Sequence, residues 1–159
     1  MHLNIEPTRG ILQFDDARLI FKNFRGEAGK FNREGDRSFH VSIKDPEIAD
    51  ALVANGWNVK VKEARDEDDN GRISLQVKVK FNDRGPIVRL QTGNRVNKLT
   101  EDTIGILDNI DIERVDLDVR PYDWTMSDGK SGRTAYLQSM HVVQAVDRFA
   151  DRCPDEFAQ

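Results

Sequence analysis

Between Trp57 and Phe81 the chain alternates apolar and polar residues in two runs. Trp57, Val59 and Val61 alternate with Asn58, Lys60 and Lys62; Ile73, Leu75, Val77, Val79 and Phe81 alternate with Ser74, Gln76, Lys78 and Lys80. A period of two marks a strand with one face on a core. The DEDDNG between the runs ends in Asn70-Gly71, a strong hairpin-turn signal. If the apolar sides face one core, the polar sides share the other face. Lys60, Lys62, Lys78 and Lys80 then lie on one surface of a two-stranded ribbon.

The same pattern extends in both directions. Ile11 to Phe24 is rich in β-branched and aromatic residues and reads as one long strand, or as two with a break at Asp15-Asp16. Phe39, Val41 and Ile43 alternate with polar neighbours. A helix is expected after Asp45, a capping residue, with Pro46 at its first position, an apolar stripe of Ile48, Ala51 and Leu52, and a stop at Asn55-Gly56. Ile87 to Leu90 is a short strand. Thr100 should cap a second short helix with Glu101 and Asp102 in its first turn, where acidic groups suit the helix dipole. In the strand from Ile112 to Trp124, Val115, Leu117 and Val119 point inward and Asp116, Asp118 and Arg120 outward. SDGKSG turns into a last strand, about Arg133 to Val146. Some eight short strands with two short helices, no repeat and no linker predict one mostly β domain over residues 1–146. The expected fold is OB-like: a five-stranded Greek-key barrel with an added β-hairpin. Residues 147–159 read as a mobile, mildly acidic tail.

Composition narrows the setting. A chain of 159 residues with 38% hydrophobic and 33% charged residues describes a soluble globular protein with a heavily charged surface. No apolar run approaches bilayer length, so no membrane partner is expected. The N-terminus lacks the basic start and apolar centre of a signal peptide. A single cysteine, Cys153, cannot form an internal disulfide, which points to a reducing, cytoplasmic setting. The net charge of −4 speaks mildly against binding nucleic acid, but its distribution speaks for it. Residues 22–37 carry five cations against three anions, and residues 57–99 ten against six, whereas residues 100–120 carry two against seven.

Three constellations could carry chemistry. In GEAGKFNREGDR the cations Arg25, Lys30, Arg33 and Arg37, with Lys22 just before them, surround Phe31, and Gly26, Gly29 and Gly35 permit close backbone approach. Cations track a phosphate backbone, and an exposed ring stacks on an unpaired base. The bland reading is a floppy hairpin loop with Phe31 folded onto the core. The lysine face is the second constellation. Its mutual repulsion would be relieved by a polyanion, although lysines on an edge also discourage sheet-to-sheet aggregation. The third is Tyr122 and Trp124, which strict alternation places outward as stacking rings. Pro121 weighs towards a break in that alternation that buries both. Trp57 falls on the apolar face and belongs to the core.

Enzyme-like patterns are weaker. Asp66-x-Asp68-x-Asn70-Gly71 matches half of an EF-hand loop, but Val77 stands where the closing glutamate belongs and the flanks read as strands, so it is a turn. Asp111, Glu113, Asp116 and Asp118 suggest a two-metal nuclease site without a lysine or histidine partner. His2, His40 and His141 make no ligand spacing with Cys153. No P-loop, G-x-S-x-G or dinucleotide fingerprint is present, and neither a cofactor nor a metal is expected.

Four runs together resemble a family. They are Asn23-Phe24-x-Gly26-x-x-Gly29-x-Phe31-Asn32-x-x-Gly35-x-Arg37-x-Phe39; Gly56-Trp57-Asn58-Val59; Val77-Lys78-Val79-Lys80-Phe81-Asn82-Asp83-Arg84-Gly85-Pro86; and Val115-Asp116-Leu117-Asp118-Val119-Arg120-Pro121-Tyr122-Asp123-Trp124. The resemblance, from about Ile11 to Val146, is to phage- and prophage-encoded single-stranded DNA-binding proteins of OB-fold type. It implies a non-enzymatic, sequence-tolerant binder of single-stranded DNA in phage replication or recombination, with the loop from Arg25 to Arg37 and the lysine ribbon flanking the DNA groove. Lys22, Arg25, Lys30, Arg33, Arg37, Lys60, Lys62, Lys78 and Lys80 would hold phosphates, and Phe31, Tyr122 and Trp124 would stack on bases. Proteins of this kind often recruit replication partners through an acidic tail with a terminal aromatic. Asp151, Asp155, Glu156 and Phe157 sketch such a tip, diluted by Arg148 and Arg152. An exposed strand edge could pair two copies into a homodimer. Two competing readings stand beside this one: a protein-interaction module that uses the acidic 100–120 segment, and a metal-dependent nuclease that uses the carboxylates near Asp116.

Overall fold

The computed structural model describes residues 1–30, 32–62, 72–82 and 85–146. Among these, ten strands form a single mixed sheet. In chain order they are β1 (His2–Ile5), β2 (Leu12–Asp15), β3 (Leu19–Asn23), β4 (Arg37–Ser42), β5 (Val59–Lys62), β6 (Arg72–Val79), β7 (Ile87–Thr92), β8 (Arg95–Leu99), β9 (Ile112–Thr125) and β10 (Ser131–Gln144). One helix, α1 (Pro46–Ala54), and a short 3-10 helix (Ile104–Asp108) complete the fold. The main path runs β1-β2-β9-β10-β6-β4-β3, with β5 beside β6, and β7 and β8 continuing from β10. The sheet is open and the class is the mostly β, OB-like one that the pattern predicts.

Strand β10 organises the sheet. One edge pairs antiparallel with β9 along almost its whole length, from Ser131 opposite Thr125 to Gln144 opposite Ile112. The other edge is shared by two parallel partners. Ala135 and Tyr136 lie beside Val77 and Lys78 of β6, and Ser139 to Val143 lie beside Ile87 to Gln91 of β7. A register shift between Leu137 and Ser139 falls where the partner changes.

The alternation seen in the sequence sets the core. Val115, Leu117 and Val119 of β9 are buried with Leu12 and Phe14 of β2, Leu75, Val77 and Val79 of β6, and Ala135, Leu137 and Met140 of β10. Phe24 and Phe39 are fully buried and stack on each other, ring centroids 5.1 Å apart, so both anchor strand ends. Trp57 is core, 3% exposed.

Several details differ from expectation. The segment read as one or two strands is two, because Ala17 N–H bonds across to Val115 and Asp16 takes a positive φ of 54°, which turns the chain from β2 at β9 to β3 at β4. Strands β1 and β8 were not anticipated. Their burial is partial, so hydrophobic periodicity carries little signal. Asp45 caps α1 through its carboxylate to Glu47 N–H, but the inner face uses Ala49 with Leu52, while Ala51 is exposed. The second helix is a 3-10 turn that starts at Ile104, with Thr103 at its cap and no acidic residue in its first turn. Thr100 instead closes a turn with Thr103, whose hydroxyl accepts the Thr100 N–H at 2.7 Å. The EF-hand-like stretch, its Asn70-Gly71 turn and the tail from residue 147 lie outside the described residues.

Candidate nucleic-acid interface

The hydrophilic face of the sheet can be built from its register. Arg120 of β9, Tyr136 of β10, Lys78 of β6 and Ser38 of β4 are neighbours in one row across four strands. Tyr122 lies beside Thr134, and Gln76 beside His40. Ser74 sits between Lys60 of β5 and Ser42 of β4, and Lys62 opposes Arg72. Because side chains alternate, all of these point away from the buried face.

Two clefts run along this face and share Gln76 and Lys78. The first, of about 550 Å³, is lined by Arg37, Ser38, Gln76, Lys78, Lys80 and Tyr136, and by Asn32, Gly35 and Asp36 of the loop before β4. The second, of about 130 Å³, is lined by Asn58, Lys60, Gln76, Lys78, Arg133 and Thr134 and, among the described residues, by no carboxylate. Together they form a trough with lysines along its floor.

Aromatic rings border the trough at β9 and β10. Tyr136 meets Tyr122 edge to face, centroids 5.9 Å apart, and carries the Arg120 guanidinium over its ring at 5.3 Å. Trp124 lies against β10, where its Nε1 donates to the Thr134 hydroxyl at 3.1 Å. That position is available only because residue 132 is glycine: a Cβ there would stand 2.5 Å from the indole. Pro121 does not interrupt the strand, since its pairing with Ala135 continues the register of its neighbours. Tyr122 and Trp124 are therefore outward, 55% and 37% exposed, and the burial that Pro121 suggested does not occur.

The sequence-predicted cations divide. Lys60, Lys78 and Lys80 line the trough, and Lys62 is exposed on the same face. Arg37 lines the first cleft, paired with Glu101 at 3.3 Å and lying 6.0 Å from the Phe81 ring. Arg33 and Lys30 are exposed on the loop, and neither lines a cleft. Lys22 and Arg25 are not brought to the trough. The Lys22 ammonium donates to Leu107 O at 3.0 Å, and Arg25 packs against Gly105 of the 3-10 helix. Phe31 lies outside the described residues.

The described residues of the loop are tied together by hydrogen bonds. The Asn32 amide donates to the carbonyls of Glu27, Arg33 and Asp36 at 2.7–3.1 Å. Asp108 accepts the N–H groups of Phe24 and Arg25 at 2.9 and 3.0 Å. Gly26, at φ 70°, passes so close to Gly35 that a Cβ would sit 3.0 Å from its backbone.

Sequence reasoning missed Tyr136, Gln76, Arg120 and Arg133. Tyr136 shares the alternation of Thr134 and Gln138, but only the parallel pairing of β10 with β6 puts it beside Lys78. Arg133 lies over the Trp57 ring at 5.5 Å and pairs with Asp123 at 2.6 Å, and its Nη1 donates to Asn55 O. That charge-assisted pair holds the Asp123 carboxyl below its usual range. His40, hydrogen-bonded to Ser74 at 2.8 Å, has its pKa lowered by burial and then by the charge of Lys60.

The acidic stretch is partly committed to internal contacts, with Asp102, Asp111 and Glu113 exposed. Asp116 accepts Asp16 N–H at 2.8 Å and pairs with Arg114, Asp108 anchors the loop, and Glu101 holds Arg37. Among the described residues no group of three His, Cys, Asp or Glu side chains is placed to hold a metal ion. Among the described residues no helix is long and apolar enough to cross a membrane.

Fold and face together define an OB-like β protein with a cationic, aromatic-edged trough, the combination that holds single strands of nucleic acid. The chain belongs to the family described as "Putative phage ssDNA-binding domain", whose model matches residues 6–156. Among solved structures it is similar to the single-stranded DNA-binding protein of bacteriophage Enc34. The C-terminally truncated form is 14% identical with a TM-score of 0.55, over 88% of each chain. The same protein in complex with ssDNA is 12% identical with a TM-score of 0.55, over 89% of this chain and 90% of that one. No curated protein matches by sequence.

Proposed function

We propose that this protein binds single-stranded DNA without sequence preference, acts in phage DNA replication or recombination in the host cytoplasm, and catalyses no reaction on the DNA. The observation that carries the proposal is the row formed by Arg120, Tyr136 and Lys78, continued by Lys60 and Gln76 along the second cleft. Phosphates follow Lys60, Lys62, Lys78, Lys80, Arg33 and Arg37. Bases, whose faces are free only in a single strand, stack on Tyr122, Trp124 and Tyr136. Sequence tolerance follows because every base offers a π-face.

Family membership supports this reading over its competitors. A nuclease would need its carboxylates gathered around a cation, yet Asp116 is occupied by a backbone N–H and Arg114. An interaction module built on residues 100–120 would have exposed Asp102, Asp111 and Glu113 to offer, whereas Glu101, Asp108 and Asp116 already have partners within the chain. Fluorescence-polarisation titration of labelled poly-dT at two salt concentrations, with and without magnesium, tests the proposal. Binding that weakens steeply with salt and is indifferent to magnesium is expected. No binding at low salt would overturn it, and magnesium-dependent cleavage would establish the nuclease. Double-stranded DNA of equal length should bind more weakly, because its bases are not available for stacking.

A further inference from the structure

Phe21 is 53% exposed and has a φ of 51°. Both facts are unusual for a phenylalanine in a strand. The left-handed region costs an L-residue backbone energy, and bulky residues rarely occupy it. The cause is a bulge. Ile20 pairs with His40 and Asn23 with Ser38, so β3 has one residue more than β4 over this interval. Bulges with a left-handed first residue ordinarily take glycine there. Without the bulge, Phe21 would follow Leu19, which is paired with buried Val41, onto the core face. The bulge turns its ring out, edge-on to His40 with centroids 5.3 Å apart, and the Arg72 guanidinium lies over it at 5.5 Å. His40 and Arg72 belong to the same face as Lys60, Gln76 and Lys78.

Beside this ring lies a third cleft, of about 670 Å³, lined by Arg18, Ile20, Ser42, Ile43, Lys44, Arg72 and Ile73. Among the described residues its lining holds three cations and no carboxylate. Nothing in packing requires a strained, exposed phenylalanine at the edge of such a cleft. Strain of this kind is retained where a side chain must be held in place for binding.

We propose that Phe21 is a second base-stacking platform, with Arg72, Arg18 and Lys44 as its phosphate contacts, so that single-stranded DNA crosses the sheet from the Tyr122–Trp124 edge over Lys78 to the β3 edge. The proposal rests on the DNA-binding reading of the trough and extends it by a subsite. The two aromatic ends are separated by β9, β10, β6, β4 and β3, four strand spacings of about 4.8 Å, or roughly 19 Å. Short oligonucleotides occupy one end, and longer ones bridge both.

The test compares Phe21→Gly, Phe21→Trp and Lys78→Gln with the parent protein, using a length series of oligo-dT in fluorescence polarisation and thermal melting for each. Phe21→Gly relieves the backbone and removes the ring. Its melting temperature should hold or rise, while affinity for long oligo-dT falls about fivefold to about 150-fold, the loss of one stacked base. Phe21→Trp should keep affinity, and its added emission should be quenched by long oligo-dT. If Lys78→Gln weakens binding and Phe21→Gly does not, the subsite is refuted and the trough stands. If the parent does not bind, the DNA-binding reading itself fails. If Phe21→Gly loses affinity only together with its fold, an unquenched Phe21→Trp overturns the subsite and a quenched one upholds it.

Discussion

Lys78 is the residue on which the trough reading can be tested quantitatively. It is exposed, lines both clefts and stands beside Tyr136, so neutralising it removes a charge without removing core. The perturbation is Lys78→Gln. For single strands the slope of log K against log salt is about −0.7 for each phosphate neutralised. One lost contact therefore makes the slope shallower by about 0.7. Relative to a 1 M reference, that is about a fivefold loss of affinity at 0.1 M salt and about twofold at 0.4 M. If Lys60, Lys62, Lys78 and Lys80 each hold one phosphate, neutralising all four changes the slope by about 2.8 and costs about 600-fold at 0.1 M. The assay is a poly-dT titration by fluorescence polarisation at five salt concentrations, with the melting temperature as a control for folding. Arg95→Gln, at the start of exposed β8, is the charge control and should leave the slope unchanged. A slope for Lys78→Gln that matches the parent's, in a folded protein, would show that no phosphate sits at Lys78 and would remove the trough floor from the site.

Four further outcomes follow from the geometry. Trp124 is exposed and Trp57 is buried, so poly-dT should quench emission in the parent protein and leave Trp124→Phe nearly unquenched; quenching that persists in Trp124→Phe would place the DNA elsewhere. Gly132→Ala should lower poly-dT affinity by displacing the indole, since its Cβ would stand 2.5 Å from the ring; unaltered Trp124 emission and affinity would contradict this. Asp108→Ala should cost about 1.5–3 kcal/mol in urea unfolding, because two loop N–H groups lose a charged acceptor; a change within error would deny the anchor. His40 has a folded-state pKa below its ordinary 6.5, so its neutral form is favoured by folding. The resulting stability is complete above about pH 6.5 and is lost as pH falls through the lowered value. The difference in melting temperature between parent and His40→Gln should therefore be flat at neutral pH and shift against the parent on acidification, and a difference independent of pH would refute the linkage.

Much of this was legible because alternation encodes a half-buried strand directly. Ile73 to Val79 state both their core and their lysine face in the sequence, whereas β5 keeps only the lysine face, since Val59 is half-buried and Val61, which alternation assigns to the core, is 67% exposed. Phe39 was readable as a core residue for the same reason. Other features depend on pairings between distant segments. Tyr136 becomes a trough residue only because β10 runs parallel to β6, and local pattern contains no information about which strands become neighbours. Phe21 was hidden because a bulge reverses the side that alternation assigns to it. Lys22 and Arg25 looked like members of a cationic loop, but the carbonyl of Leu107 and the bare backbone of Gly105 draw their side chains to the 3-10 helix. Charge clusters along a chain do not report which neighbour each charge will meet.

The shared edge of β10 has a consequence for the order in which the protein comes into being. The trough is a seam between a segment near the middle of the chain and one near its end, and the seam exists only where Ala135 and Tyr136 lie beside Val77 and Lys78. Until β10 has been synthesised and has docked, β6 has no parallel neighbour, β9 has no partner on that side, and β7 has only β8. Non-local pairings of this kind form late in folding. A nascent chain that has emerged only through β9 carries the lysines but not the surface that arranges them, so a ribosome-bound fragment should not be captured by the DNA that the finished protein holds.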